Sequence, residues 1–182
     1  FYALSDFLSE QLEAARFVPI SGLDLVKSAL IEAINSRSVQ DDACKLSCGN
    51  HSDDVDESQR LHLVGEASLE GLCAWLCKLP DPPREDERWL QMGSEYGGET
   101  RQQKHCFRAS ILSDAAHSNA RMQQLYTIWW QTLLKLGPRL RSLQIDIHHL
   151  QPNESARYEI FAWFHSLHEW VSVGHITHYG DY

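Results

Sequence analysis

Residues 118–137, SNARMQQLYTIWWQTLLKLG, have the clearest helical pattern in the chain. Their apolar side chains recur every three or four residues, as in an α-helix with one buried face. These positions are Met122, Leu125, Tyr126, Trp129, Leu133 and Leu136. Ser118 or Asn119 can cap the start, and Gly137-Pro138 is a usual stop signal. The stretch therefore predicts a long amphipathic helix that ends at Leu136.

Residues 153–179, NESARYEIFAWFHSLHEWVSVGHITHY, predict a second helix and then a strand. Asn153 is a good N-cap, and Gly174 ends the helix. After Gly174 the apolar period changes from about 3.6 to 2, over residues 175–179. A helix, a glycine turn and a strand in that order are typical of the last third of a winged-helix domain.

Shorter helices are predicted over residues 1–16, 24–34, 66–79, 101–116 and 139–150, with an irregular connection over 81–100. The expected fold class is mostly α, a helical bundle followed by a C-terminal winged-helix element with a short β-strand. We expect two regions. Residues 1–80 form a helical, acidic interaction region with a flexible loop near 36–60, and residues 81–182 form a helical region that ends in the winged helix.

Composition narrows the class of protein. The hydrophobic content of 43% supports a packed core, and no apolar run is long enough for a membrane span. Residues 1–100 carry 8 Lys or Arg against 19 Asp or Glu, whereas residues 101–182 carry 8 against 6. The acidic front disfavours polyphosphate, so any contact with nucleic acid is expected to be local. Because the first residue is Phe1, we expect a piece of a longer protein.

The cysteines and histidines leave two interpretations open. Cys44, Cys48 and His51 have spacings that zinc could use, and Cys73 and Cys77 offer a second pair. Five cysteines are also consistent with free thiols in a reducing, intracellular compartment, which is the favoured interpretation. The chain has no Gly-x-Ser-x-Gly elbow and no P-loop. We therefore expect no enzyme, no metal and no cofactor.

Surplus tryptophans suggest a contact surface. Adjacent residues on a helix face different directions, so Trp130, Trp163 and Trp170 are predicted on outer faces, while Trp129 points inward. Interfaces favour Trp, which makes these three side chains candidates for docking to a partner. The alternative is a second packing layer within the same chain.

A weak basic cluster offers candidate contacts to DNA phosphates. It consists of Lys135, Arg139, Arg141 and Arg157, joined on the predicted wing by His175 and His178. The alternative for this cluster is an ordinary solvated helix end.

Three segments resemble the C-terminal region of the origin recognition complex subunit 3 family. They are Leu72–Pro83 (LCAWLCKLPDPP), Gln124–Gly137 (QLYTIWWQTLLKLG) and Ala156–Tyr179 (ARYEIFAWFHSLHEWVSVGHITHY). The resemblance covers about 110 residues and lies in the layout of the helices. It implies a non-catalytic subunit that acts in DNA replication initiation and packs against sister subunits around duplex DNA.

The expected function is accordingly that of a subunit fragment in a nuclear, DNA-associated complex. Its partners would be other protein subunits and duplex DNA, with no membrane. The alternatives are a helical adaptor without a nucleic-acid role and, as a third hypothesis, a His/Cys metal enzyme.

Overall fold

A computed structural model describes residues 2–34, 45–46, 60–97 and 102–180. The chain forms two compact units. Unit 1 comprises Phe1–Arg16 and Ser113–Tyr182, and unit 2 comprises Phe17–Leu112. In this division the first helix belongs with the C-terminal part of the chain. The functional regions expected over residues 1–80 and 81–182 stay a prediction.

Unit 1 is a helical layer on an antiparallel sheet. Its elements are α1 (Tyr2–Ala14), α4 (Ser118–Leu134), β7 (Leu140–Gln144), a short 3-10 helix (Ile147–His149), β8 (Ala156–Phe164) and β9 (Glu169–His178). The sheet has the order β7-β8-β9 with both pairs antiparallel, and β9 carries a bulge opposite Ile160 and Phe161. The core lies between α4 and one face of the sheet.

The core of unit 1 consists of apolar side chains from α4 and from alternate positions of the strands. Its buried members are Met122, Leu133, Ile160 and Ile176. Trp129 and Trp130 are both half-buried and pack against this cluster, Trp130 in a stack on Tyr126. The two indoles therefore do not divide into one inward and one outward ring.

The described residues of unit 2 form two small sheets and two helices. Its elements are β1 (Val18–Ile20), β2 (Leu25–Lys27), α2 (Ser28–Ala33), β3 (Lys45–Leu46), β4 (Leu61–Leu63), α3 (Leu69–Leu76), β5 (Arg88–Gly97) and β6 (Gln102–Ile111). The orders are β1-β5-β6, with β1 parallel to β5, and β2-β4-β3. Val26, Ile31 and Val64 form a buried apolar cluster there. Hydrogen bonds from Tyr96 N to Val64 O (3.0 Å) and from Ala67 N to Ser94 O (3.1 Å) attach β5 to the chain around the end of β4.

The predicted helix over residues 118–136 is confirmed by α4, and the helices near residues 1–16 and 66–79 correspond to α1 and α3. The mostly α fold class is wrong. Residues 101–116, 139–150 and 153–173, all predicted as helices, instead contain β6, β7, β8 and part of β9. The irregular segment 81–100 contains β5.

The winged-helix element is also wrong, and the reason lies in the period of residues 156–164. Ile160 and Ala162 are buried, whereas Phe161 and Trp163 lie on the other face, so the apolar positions alternate. Because apolar residues occupy both faces of the strand, the sequence from Ile160 to Val171 also fits the spacing of an amphipathic helix. Cross-strand pairing with β7 and β9 makes this segment the central strand of the sheet.

Two other predictions fall partly or wholly outside the described residues. The predicted loop near residues 36–60 lies outside them except for Lys45–Leu46 and Arg60. The predicted cluster of Cys44, Cys48 and His51 lies wholly outside them. Within the described ranges, each helix is too short or too polar to span a lipid bilayer.

Two matched substitutions test the core of unit 1. Ile160 is 0% exposed, so Ile160→Ala should lower the free energy of unfolding by about 2–5 kcal/mol through lost burial and a new cavity. Ile147 is 75% exposed, so Ile147→Ala should change the free energy of unfolding by less than about 0.5 kcal/mol. Urea unfolding followed by circular dichroism measures both changes. Equal losses in the two variants would contradict the assigned core.

Candidate functional site

A turn at residues 65–68 leads from the end of β4 into α3 and carries Glu66. Ser68 caps α3: its hydroxyl accepts a hydrogen bond from Gly71 N (2.9 Å) and donates one to Gly65 O (2.7 Å). The hydroxyl thus satisfies an open helix donor and closes the turn at the same time. Ser68 is buried, so these bonds hold the turn in one conformation.

Gln91 on β5 holds this turn against the sheet. Its side chain is 1% exposed, and Nε2 donates to Glu66 O (2.7 Å) and more weakly to Ser68 O (3.4 Å). Gly22 makes room for the contact, because a Cβ there would lie 2.6 Å from Gln91 Nε2 and 2.2 Å from Glu66 O. The backbone of the turn is therefore held by a buried side-chain amide.

A row of hydrogen-bond acceptors results on one face of β5. Residues 91, 93 and 95 point to the same face because strand side chains alternate. Gly93 leaves a gap that the Glu66 side chain fills, since a Cβ at Gly93 would lie 2.2 Å from Glu66 Oε1. We call Gln91, Glu66 and Glu95 the acidic row. Ser21 donates from Oγ to Glu66 Oε2 at 3.3 Å.

The paired strand β6 adds a guanidinium and a thiol to this face. Arg108 lies opposite Gln91, and Cys106 lies opposite Gly93. Arg108 donates from Nε to Ala67 O (2.8 Å) and from Nη2 to Glu95 Oε1 (3.1 Å). The Cys106 Sγ atom lies 3.7 Å from Glu95 Oε2 and 3.9 Å from Ala67 O. Arg108 therefore neutralises one end of the acidic row. Lys104, which lies opposite Glu95, adds a second cation to this face of β6.

The electrostatics of the row favour a positively charged group. The Glu66 carboxylate is half-buried, and Glu70 is buried in the first turn of α3 close by in the sequence. Gln91 Oε1 is buried and has no hydrogen-bond donor among the described residues. An orphaned buried acceptor is unfavourable, and partly buried carboxylates attract cations more strongly than exposed ones do. The row is suited to hold an ammonium or another hydrogen-bond donor with positive charge.

The thiols near the row are poor nucleophiles. Burial, and next the Glu95 carboxylate, raises the pKa of Cys106 to about 11. Burial, and next the Glu70 carboxylate, raises the pKa of Cys73 to about 11 as well. The thiolate is the reactive form, so both side chains remain protonated and inert at neutral pH. The raised pKa values of these thiols therefore disfavour thiol-based catalysis at the acidic row.

The sequence-predicted DNA contacts all lie in unit 1, away from this row in the chain. Lys135 is the C-cap of α4, Arg139 precedes β7 and Arg141 lies on it, Arg157 is on β8, and His175 and His178 are on β9. Arg157 pairs with Glu154 (3.6 Å) and Glu159 (3.9 Å). His178 contacts the Ser155 hydroxyl through Nδ1. Contact of these side chains with DNA stays a prediction.

The predicted docking tryptophans are also in unit 1. Trp130 is a residue of α4 and packs against the buried cluster of unit 1. Trp163 and Trp170 face each other across β8 and β9, with ring centroids 5.6 Å apart. Docking to a partner stays a prediction for all three. The acidic row was missed because residues 88–97 were predicted to be irregular, although Ser68 before an apolar helix was a detectable cap signal.

The raised thiol pKa values lead to a test by alkylation. Iodoacetamide at pH 8 should modify Cys73 and Cys106 roughly 100-fold more slowly in the folded protein than in the urea-unfolded protein. The reason is that burial raises each thiol pKa from 9.0 to about 11, and each unit of increase lowers the thiolate fraction about tenfold. The folded rate should keep rising until about pH 11. Peptide mapping by mass spectrometry resolves the two sites. A folded rate that already levels off near pH 9 would contradict the burial of these thiols.

No protein-family model and no curated protein matches the chain. Solved structures do match. The crystal structure of seryl-tRNA synthetase from Pyrococcus horikoshii complexed with ATP aligns with a TM-score of 0.71 and 16% identity, over 96% of this chain and 40% of that one. The cytoplasmic serine-tRNA ligase from Naegleria fowleri in complex with AMP aligns with a TM-score of 0.70 and 12% identity, over 96% and 43%.

At these identities the similarity establishes the fold, and the chain spans about two-fifths of the length of either structure. The resemblance to origin recognition complex subunit 3 is wrong, because the fold is similar to part of the two seryl-tRNA synthetase structures. The expected non-catalytic role in replication initiation is contradicted with it. So is the expectation of no enzyme, because both similar structures are of enzymes. The chain has a seryl-tRNA synthetase-like fold.

Proposed function

We propose that this chain is part of a tRNA-related protein of the seryl-tRNA synthetase type, in which the acidic row binds the amino group of serine or a similar small amino acid. The observation that carries the proposal is the Glu66 carboxylate, held over Gly93 beside the buried amide of Gln91. The similarity to two serine-specific synthetases, over almost the whole chain, supports the class of protein.

The chemistry of the row supports an ammonium as its ligand. An ammonium donates three hydrogen bonds and carries a full positive charge, and bonds of this kind to a carboxylate are about twice as strong as neutral ones. Glu66 Oε2 already accepts from Ser21, which orients the carboxylate. Arg108 forms its ion pair with Glu95, with Nη2 3.1 Å from Oε1. A ligand ammonium at Glu66 would offset the negative charge of that carboxylate.

The choice of a small amino acid rests on the similar structures, which are both serine-specific synthetases. Gly22 and Gly93 let the turn and its Glu66 side chain approach β5 closely. ATP and AMP are bound in the two similar structures, which makes an adenosine phosphate the expected second ligand of this protein.

Isothermal titration of the full protein with L-serine, in the absence and presence of ATP, tests the proposal. Glu66→Gln should weaken serine binding by about 10- to 100-fold, because a charge-assisted hydrogen bond contributes roughly 1.5–3 kcal/mol. Glu32→Gln is the matched control: Glu32 is an exposed carboxylate on α2 of the same unit, and its loss should leave binding unchanged. N-acetylserine, which lacks the ammonium, should not bind to the unaltered protein.

The proposal is wrong if L-serine fails to bind the unaltered protein at millimolar concentration with ATP present. It is equally wrong if Glu66→Gln and the unaltered protein bind serine with the same affinity. Far-ultraviolet circular dichroism of Glu66→Gln separates a loss of binding from a loss of fold. A filter-binding assay with serine-accepting tRNA, against a second tRNA as control, tests the tRNA-related role, and equal retention of both would contradict it.

A further inference from the structure

The sheet of unit 1 has an outer face that α4 does not cover. Alternation places Ile160 and Ala162 of β8 toward the core, so Phe161 and Trp163 project from the opposite face. Arg141 pairs with Phe161 across β7 and β8, and Trp170 pairs with Trp163 across β8 and β9. Arg141 therefore shares this outer face with three aromatic side chains.

Arg141 is held between two rings. Its guanidinium carbon lies 5.0 Å from the centroid of Phe161 and 4.6 Å from that of Trp170. Trp163 contacts the indole of Trp170 edge-to-face, with the ring centroids 5.6 Å apart. We call Arg141, Phe161 and Trp170 the arginine clamp. Such cation–π contacts restrict a side chain that otherwise has many rotamers.

The charges on this face leave Arg141 uncompensated. Arg157 lies on the same face of β8 and is neutralised by Glu154 and Glu159. Glu159 in turn accepts a hydrogen bond from the Ser172 hydroxyl at 3.1 Å. No carboxylate or carbonyl of the described residues accepts a hydrogen bond from the Arg141 guanidinium, and the residue is exposed.

Stacking and hydrogen bonding use different parts of a guanidinium. The rings contact its flat faces, whereas the five N–H groups lie in its plane and point outward. In-plane N–H groups match the two oxygens of a carboxylate or phosphate in a bidentate pair. Because the clamp already orders the side chain, binding an anion requires little further loss of rotamer freedom.

We propose that the arginine clamp is a binding site for an oxyanion, a carboxylate or a phosphate, attached to a flat ring. The N–H groups of Arg141 hold the oxyanion, and the half-buried indoles of Trp170 and Trp163 provide apolar surface for the ring. This site belongs to unit 1 and shares no residue with the acidic row. It therefore stands or falls independently of serine binding.

Phenyl phosphate and benzoate are suitable probes, because they share the ring and differ in the oxyanion. Isothermal titration of the full protein at low ionic strength should show saturable binding of at least one of the two. Inorganic phosphate, which lacks the ring, should bind at least tenfold more weakly than phenyl phosphate. The tighter of the two ring-bearing probes identifies the oxyanion. The resonances of the indole N–H groups of Trp163 and Trp170 should shift on titration.

Arg141→Lys should weaken the tighter probe by at least tenfold, because an ammonium keeps the charge but neither stacks in the same way nor donates a planar bidentate pair. Arg139→Lys is the matched control, because Arg139 is also exposed and lies two residues from Arg141. This variant should bind the probe with the affinity of the unaltered protein. Trp170→Phe keeps an aromatic side chain at the site and should cause an intermediate loss, in a variant whose sheet is retained.

Two results would overturn the proposal. One is equal affinity in the Arg141→Lys and Arg139→Lys variants, which would show attraction by surface charge alone. The other is that neither probe binds the unaltered protein saturably at about 10 mM. A dissociation constant of about 10 mM is near the weakest that a single bidentate pair is expected to give.

Discussion

The hydrogen bond from Gln91 Nε2 to the backbone carbonyl of Glu66 is the contact on which the candidate site depends. It is 2.7 Å long and joins a fully buried side chain to the turn that opens α3. A buried amide that lost this acceptor would keep only the weaker 3.4 Å bond to Ser68 O, so the contact favours one position of the turn against the strand. Bonds of Ala67 to Ser94 and Arg108 support the same position of Glu66 over β5.

Two glycines make the contact sterically feasible. Side chains at Gly22 and Gly93 would occupy the space of Gln91 Nε2 and of the Glu66 carboxylate. Glu66 thus lies in a notch of the strand between Gln91 and Glu95, with Arg108 bonded to Glu95. The result is a face with two carboxylates, with Arg108 and Lys104 opposite on β6, and with a Gln91 amide oxygen that accepts no hydrogen bond from the described residues. Unit 1 has the opposite chemistry, a stacked cation among aromatic rings.

The sequence predicted the helical parts of the fold well and the strands poorly, for physical reasons that particular residues show. In α4, polar residues separate the apolar positions, so only one period fits. In β8, Tyr158, Phe161 and Trp163 put aromatic surface on both faces, and helical and strand patterns coexist. In β5, Gly93 and Gly97 are typical of loops, and only pairing with β1 and β6 makes the segment a strand. The acidic row could not be predicted, because Glu66 lies over β5 only through contacts between residues 25 or more positions apart in the sequence.

The most direct measurement of the central claim is a crystal structure of the protein soaked with L-serine. The account predicts that the serine nitrogen lies within about 3.2 Å of a Glu66 carboxylate oxygen, with the serine carboxylate directed away from Glu66. Serine bound with its carboxylate toward Glu66, or an Arg108 guanidinium moved from Glu95 onto Glu66 in the occupied site, would contradict it.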